Sequence, residues 1–239
     1  MLPSPLPRAM PADSPAEAFE RLVTLNRSLL TQHLLRGLAH DLRNDLQVVT
    51  LGAGGPGPVP PAMAARLDQA IEAMSTTLDA LGRLGRVESE DESPSDLDAV
   101  LREVGHRVGL MRNLPDGRLE IDPVPSGTTV AIAPSRLVQA FLNMVVAAKA
   151  AGAETIRVRM GACRSGTIDI VVEDDGGDRA FDPGSPPLDA QIGYGMAAGL
   201  LHGHGGAINS AGPHRNQVTL TLPLSGPGSP VPEASRRRP

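Results

Sequence analysis

Aromatic side chains are almost missing from this chain of 239 residues, which has no Trp, one Tyr and three Phe. The core must therefore be built from aliphatic side chains and Met, and this favours packed helices and a simple sheet. Proteins that hold single-stranded nucleic acid stack its bases on exposed aromatic rings. The formal net charge of −5 also lacks the broad basic field that nucleic-acid binding needs. Composition thus argues against a nucleic-acid partner.

Cysteine, lysine and long apolar runs are also scarce. The single cysteine, Cys163, cannot form an internal disulfide and is compatible with a reducing cytosol. No apolar run reaches 18 residues, and the N-terminus lacks the charged-then-apolar order of a signal peptide. We therefore expect a cytoplasmic protein without membrane insertion. The only lysine, Lys149, is expected on the solvated surface.

The first third of the chain predicts two long helices joined by a short turn. Residues 1–12, rich in Pro and small residues, are expected to be disordered, and Ser14, Pro15 and Glu17 are typical of a helix start. Apolar residues at helical spacing then form two stripes: Leu35, Leu38, Leu42, Leu46 and Val49, followed after the run AGGPGPVPP by Leu67, Ile71, Met74, Leu78 and Leu81. A single hairpin over 13–87 cannot bury both stripes, so we expect a homodimer that pairs two hairpins into a four-helix bundle.

The remainder of the chain has a different pattern of apolar residues. An acidic linker is expected at 88–96, a mixed helix and sheet domain at 97–224, and a disordered tail at 225–239. Helices are predicted at 96–111, 135–151 and 194–204, and strands at 118–121, 128–133, 155–160, 167–174 and from residues 207 and 217. Together with the hairpin this makes an α+β protein with a largely antiparallel sheet.

His40 is the candidate catalytic residue. It is two residues from both Leu38 and Leu42, roughly 200° round the helix from each, so we expect an exposed imidazole. Arg43 and Asn44 share its face, and Asp41 is within reach of the ring's edge. The acid could hold Nδ1–H and leave Nε2 as a nucleophile, while the amide and the cation could contact a phosphoryl group. From these residues alone, an ordinary polar helix face remains an open interpretation.

The segment GLAHDLRNDLQVV, residues 37–49, resembles the phosphoaccepting H-box of histidine kinases and related phosphotransferases. In that family the pattern H-D/E-x-x-N/T lies on the first of two dimerising helices. The matching positions are occupied by His40, Asp41, Arg43 and Asn44, whereas Asp45 stands where many of these kinases have proline. The order of the predicted helices matches as well. The resemblance implies that His40 accepts the phosphoryl group, with Asp41 and Asn44 as its catalytic neighbours.

The second half resembles the ATP-binding domain of the same kinases, the GHKL fold, over nearly its whole length. Residues 136–153 are similar to the N-box helix, residues 171–178 (VVEDDGGD) to the first glycine box, and residues 193–206 (GYGMAAGLLHGHGG) to the second. The resemblance implies a nucleotide-binding set of Asn143, Asp174, Gly176, Gly193 and Gly195.

Three departures from the family's pattern concern nucleotide chemistry. Ala147 stands where the family has the Asn that holds Mg²⁺, and a methyl group cannot ligate a hard cation. Asp178 replaces a glycine, and its charge would repel phosphates. The stretch 177–192 is short for an ATP lid and contains Pro183, Pro186 and Pro187. We interpret the nucleotide set as a degenerate remnant, with Gly193 and Gly195 serving close helix–strand packing, and we expect no metal site and no cofactor.

An intact H-box beside an eroded ATP site is the pattern of dimeric, ChpT-like histidine phosphotransferases. The resemblance implies a phosphorelay enzyme that takes a phosphoryl group from the Asp of one receiver domain and passes it to another, with Mg²⁺ supplied by the receiver. Receivers, with a hybrid kinase upstream, would be its partners. They would dock around His40 and the lower half of the bundle, where Arg36 and Arg43 are candidate phosphate or receiver contacts.

Two alternatives stay open. The first is a sensor-less histidine kinase with an atypical pocket, which would use ATP and Mg²⁺. The second is a non-catalytic dimeric adaptor that binds a kinase or a response regulator without any phosphohistidine.

Overall fold

The computed structural model describes residues 14–53, 59–84, 93–111, 118–164, 166–176, 188–209 and 216–226. The predictions for the N-terminal segment 1–12, most of the acidic linker, the stretch 177–187 and the tail from residue 227 lie outside these ranges.

Two helices form the hairpin: α1 spans Pro15–Ala53 and α2 spans Pro61–Leu84. The start of α1 is a capping box, because the Glu17 N–H donates to Ser14 Oγ (3.3 Å) and the Ser14 N–H donates to the Glu17 carboxylate (2.8 Å). The predicted hairpin is confirmed. Among the described residues, no helix combines the length and apolar character needed to cross a membrane.

The second unit, which we call the sandwich, follows α2. It comprises β1 Ser95–Asp96, α3 Leu97–Leu110, β2 Arg118–Ile121, β3 Thr129–Val130, α4 Pro134–Ala150, β4 Thr155–Arg164, β5 Thr167–Asp174, α5 Leu188–His202, β6 Ala207–Asn209 and β7 Gln217–Pro223. The main sheet has the order β2-β4-β5-β7-β6, in which only β2 and β4 run parallel. A separate antiparallel pair joins β1 to β3.

Strand alternation builds the core of the sandwich. Every second residue of β5 and β7 is buried, for example Ile170 and Leu220, and these side chains join one cluster with the helices. In α4, Phe141 and its neighbours are buried over most of the helix. The predicted α+β class, a helical hairpin followed by a helix and sheet sandwich, is confirmed.

Several element boundaries differ from the predictions. Strand β4 continues to Arg164 instead of ending at residue 160, and β1 lies within the predicted acidic linker. Helix α5 begins at Leu188 rather than Tyr194, so Gly193 lies inside the helix instead of preceding it, and Gly195 lies in the helix interior instead of its first turn. Glycine disfavours helix interiors by about 1 kcal/mol, which is why a sequence pattern places a boundary there. Strand β3 has only two residues instead of the predicted six.

Helix α1 belongs to both units. With 39 residues it is longer than α2, which has 24, and its N-terminal half packs on the sandwich. Val23, Leu30 and Leu34 are buried in the same cluster as the sheet and helices α3–α5. The helix that carries His40 is therefore anchored in the core of the following unit.

Candidate functional site

His40 projects from α1 as the sequence predicts. Its side chain is 56% exposed, and its Nδ1 lies 3.1 Å from Asn44 Nδ2, one turn further along the helix. Asp41 Oδ1 is 3.7 Å from Nδ1, which is longer than a hydrogen bond. The amide, rather than the acid expected from sequence, therefore makes the close contact with the ring. Nε2 is the second ring nitrogen, on the opposite side of the imidazole from this contact.

The contact with Asn44 selects the tautomer of His40. An amide nitrogen donates, so as placed it makes Nδ1 the acceptor and assigns the proton of the neutral ring to Nε2. Rotating the amide by a half turn brings Oδ1 to the same place, where it accepts Nδ1–H and leaves Nε2 bare. Only this second arrangement provides a nucleophilic Nε2. Asn44 therefore orients the His40 ring and can form a hydrogen bond with Nδ1 in either neutral tautomer.

A cleft of about 890 Å³ opens beside His40, between α1 on one side and α4 with the start of α5 on the other. Arg36, four residues before His40, lines this cleft, as does His33. Arg43 is exposed on α1 and is not among the residues that line it. The two candidate phosphate contacts are thus separated, and only Arg36 shares the cleft with His40.

An amide cluster closes the end of the cleft away from His40. Asn26 on α1 exchanges hydrogen bonds of 2.8 Å with Asn143 on α4, Nδ2 to Oδ1 in both directions. Gln139 Nε2 donates to Asn26 Oδ1 (2.7 Å) and to the Val23 carbonyl (2.9 Å). Gln139 and Asn143 are buried. The N-box residue Asn143 is therefore engaged in joining α1 to the sandwich.

Helices α4 and α5 touch at Ala147, where the histidine kinases that the sequence resembles have a metal-binding Asn. Ala147 is fully buried, and a Cβ placed on Gly193 would lie 2.9 Å from Ala147 Cβ and 2.7 Å from the Asn143 carbonyl oxygen. Gly193 thus permits a close helix–helix contact, where helix–strand packing was predicted, and a Cβ at Gly195 would meet nothing within 4 Å. The Ala147 methyl group and the packed helix α5 therefore occupy the place at which the resembled kinases would hold their metal ion. The residues present do not fit a Mg²⁺–nucleotide site.

Asp174 lies elsewhere, at the end of β5. It accepts the Gly176 N–H at 2.9 Å, and its Oδ2 has no hydrogen-bond partner among the described residues. Burial raises the pKa of Asp174 to about 6, and the neighbouring Asp175 adds to the rise while the Gly176 N–H opposes it. Burial also raises the pKa of Tyr194, with the charge of Asp174 as a second cause. Both Asp174 and Tyr194 therefore ionise less readily than the same groups in water.

The structure adds residues that sequence reasoning missed. Asn26, His33 and Gln139 line or close the cleft, but nothing in the local pattern of α1 indicated that this helix would pack on α4. Lys149 was expected on the solvated surface; it is partly buried, lines the cleft and donates to the Ala153 carbonyl at 2.7 Å. Within the described ranges no group of three or more His, Cys, Asp or Glu side chains is placed to hold a metal ion.

Comparison with known proteins gives structural likenesses only. No family model and no curated protein matches the chain. The ATP-binding domain of PrrB from Mycobacterium tuberculosis matches at 23% identity over 58% of this chain and 99% of that one, with a TM-score of 0.44. A histidine kinase from Burkholderia phymatum matches at 16% over 82% and 98% (TM-score 0.45), and Acinetobacter baumannii histidine kinase AdeS at 19% over 82% and 98% (TM-score 0.41).

Proposed function

We propose that this protein is a cytoplasmic histidine phosphotransferase of a two-component phosphorelay. It takes a phosphoryl group from the Asp of one receiver domain, holds it on His40 and delivers it to another receiver without using ATP. The observation that carries the proposal is the exposed His40, whose Nδ1 lies 3.1 Å from Asn44 Nδ2 on a helix whose N-terminal half is anchored in the core of the sandwich.

The transfer needs little from the protein beyond this geometry. Nε2 of the Nδ1–H tautomer attacks the phosphorus of the aspartyl phosphate, the P–O bond to the carboxylate breaks, and the Asp leaves as a free carboxylate. Delivery to the next receiver is the reverse step, in which a carboxylate oxygen attacks and the P–N bond breaks. Such transfers depend mainly on positioning and on charge stabilisation, which the Mg²⁺ of the receiver supplies.

Two features of the sandwich support a relay rather than a kinase. The contact between Ala147 and Gly193 fills the place of the metal-binding Asn, and Asn143 is held by Asn26. A chain that cannot hold Mg²⁺–ATP does not phosphorylate itself, but it still accepts and donates phosphoryl groups. Receiver domains, and a hybrid kinase upstream, are the partners that this chemistry implies.

The direct test follows radiolabelled phosphate from a phosphorylated receiver to the chain. We expect acid-labile, alkali-stable label on the natural protein and none on His40→Gln. His202→Gln, at the exposed C-terminal end of α5, is the matched control and should retain full labelling. Equal labelling of His40→Gln and the natural protein would overturn the proposal. Receiver binding that is the same in both, with no label on either, would favour the adaptor instead.

The second candidate is an ATP-dependent histidine kinase, and Asp174 is the observation that favours it. In the kinases that the sequence resembles, an Asp at this position receives the adenine amino group, and here Asp174 Oδ2 is buried with no partner among the described residues. Calorimetric titration with ATP and Mg²⁺ separates the two candidates. Micromolar binding followed by label on His40 from γ-labelled ATP would select the kinase, and we expect neither.

A further inference from the structure

The contact between Asn44 and the His40 ring is made by a side chain with two different ends. The amide of Asn44 carries a donor, Nδ2, and an acceptor, Oδ1, and a half turn brings either of them to Nδ1. The ionised carboxylate of Asp41, with Oδ1 at 3.7 Å from the same ring nitrogen, offers acceptors only. The residue that contacts Nδ1 at 3.1 Å can therefore match the ring both with and without a proton on that nitrogen.

Phosphoryl transfer reverses the hydrogen-bonding character of Nδ1. Before transfer the nucleophilic tautomer has its proton on Nδ1 and a lone pair on Nε2. When Nε2 forms the P–N bond and the P–O bond to the receiver's Asp breaks, the ring becomes a cation that still carries Nδ1–H. The His40 side chain is 56% exposed, so water can take this proton and leave a neutral phosphohistidine. In that product Nδ1 has a lone pair and accepts a hydrogen bond.

The proton on Nδ1 also determines how long the phosphoryl group stays on the ring. With Nδ1 protonated, the P–N bond breaks to release a neutral imidazole. Without that proton the leaving group is an imidazolate, which leaves far more slowly. A donor that faces Nδ1 stabilises the unprotonated ring, whereas a carboxylate in contact with Nδ1 stabilises the cation. The side chain in contact with Nδ1 therefore controls the loss of the phosphoryl group to water.

We propose that Asn44 is a positioning residue that sets the lifetime of the phosphohistidine. Its Oδ1 accepts Nδ1–H before transfer, and its Nδ2 donates to Nδ1 once His40 carries the phosphoryl group. An amide in this place lets the protein store the group until the next receiver takes it. This role rests on the proposed relay, because it requires His40 to be the phosphoryl carrier.

Other charged groups near the ring stay the same when only residue 44 is changed. Charged or titratable side chains neighbour His40 on α1 or line the cleft and the groove beside it: His33, Arg36, Asp41, Arg43 and Asp45 of α1, Glu72 of α2 and Lys149 of α4. The residues that α5 adds to the cleft, Ile192 and Gly193, are uncharged. Differences among variants of Asn44 therefore report the contact at Nδ1.

The test phosphorylates the full-length protein with phosphoramidate, which transfers a phosphoryl group to histidine without a receiver. Phosphorus NMR follows the signal that His40→Gln lacks, and its half-life is measured at a series of pH values. In Asn44→Asp we expect the half-life at neutral pH to fall about tenfold, and the pH at which the signal becomes labile to rise by about one unit. Asn44→Leu, with neither donor nor acceptor, should lie between Asn44→Asp and the natural protein. Gln47→Glu adds the same charge to the same face of α1, about 10 Å further along, and should match the natural protein.

Four outcomes would overturn the proposal: no His40 signal in the natural protein, equal half-lives of Asn44→Asp and the natural protein, a change in Asn44→Asp that Gln47→Glu reproduces, or a longer half-life in Asn44→Leu. Failure of this role and failure of the relay are distinguishable. Label that passes from a receiver to His40, with half-lives indifferent to residue 44, removes the role of Asn44 and keeps the relay. Half-lives that follow the expected order without any transfer from a receiver refute the relay alone.

Discussion

At the level of single residues, two adjacent acids at the end of β5 have opposite electrostatic surroundings. Burial raises the pKa of Asp174 to about 6. The exposed Asp175 instead accepts the backbone N–H groups of Thr155 and Glu154, each at 2.7 Å, and these bonds lower its pKa. One residue thus resists ionisation, whereas its neighbour is stabilised as a carboxylate.

Replacement Asp174→Asn should stabilise the protein at neutral pH. The folded-state pKa of about 6 is above the ordinary 3.8, so the ionised carboxyl opposes folding once the pH rises through this interval. The shift corresponds to about 3 kcal/mol, which partial exposure reduces to about 1–2 kcal/mol. We expect that gain in the free energy of urea unfolding at pH 7.5 and no gain at pH 4.

Asp175→Asn is the control for this experiment and should act in the opposite direction. Its lowered pKa means that the carboxylate stabilises the fold above the ordinary pKa, and the stabilisation is lost as the pH falls. We expect Asp175→Asn to be less stable than the natural protein at pH 7.5. A stabilised Asp175→Asn, or an Asp174→Asn gain that persists at pH 4, would contradict the assignment of these two environments.

Residue-level reasoning from the sequence predicted the exposure of His40 but not its hydrogen-bond partner. Helical periodicity gives the direction in which a side chain leaves the helix, and this is enough for exposure. It does not give the side-chain rotamers that put Asn44 at 3.1 Å and Asp41 at 3.7 Å from Nδ1.

At the level of elements, Gly193 sets how closely α5 packs on α4. Gly193 allows α5 to approach Ala147 and the Asn143 carbonyl at a distance that no other residue permits. The resemblance to histidine kinases implies that Ala147 replaces a metal-binding Asn, but only the packing shows that a helix occupies the adjoining space. Residue 147 is therefore both a methyl group and enclosed by the contact with α5.

Ala147→Asn should fail to restore a nucleotide site and should destabilise the protein. The added amide must enter the contact with Gly193, where overpacking and an unpaired polar group together cost about 2–4 kcal/mol. Ala150→Asn, on an exposed position of the same helix, measures the cost of helix propensity alone, which is under about 1 kcal/mol. Urea unfolding compares the two, and calorimetry with Mg²⁺–ATP should detect no binding. Equal stability of both variants would show that the space at residue 147 is open.

At the level of the whole molecule, the hairpin leaves apolar side chains exposed. On α1, Leu35 and Leu46 are 40% and 46% exposed, and on α2, Ile71 and Leu78 are 56% and 54% exposed. These residues belong to the two predicted stripes, whereas Leu38 of the same α1 stripe is buried within the chain. Pairing with a second hairpin would cover them, so the homodimer stays a prediction that the single chain supports.

Charge placed on this surface should separate the dimer. Ile71→Glu and Leu78→Glu would each bury a carboxylate in the bundle, and we expect sedimentation equilibrium to show a Kd for dimerisation raised at least 100-fold, since burying an unpaired charge costs several kcal/mol. Ala65→Glu adds the same charge to another exposed position on α2 and should remain dimeric. Dimers that tolerate Ile71→Glu and Leu78→Glu equally would require a different interface.

The sequence by itself determined the order of elements, the α+β class and the exposed His40, because hydrophobic periodicity and capping act over a few neighbouring residues. Tertiary structure alone decided that the N-terminal half of α1 lies on α4, since Asn26 and Asn143 are separated by 117 positions along the chain. That contact engages the Asn143 amide and brings α1 and α4 together as walls of the cleft beside His40. Its cause is the burial of Val23, Leu30 and Leu34 in the core of the sandwich, which the pattern of one helix cannot reveal.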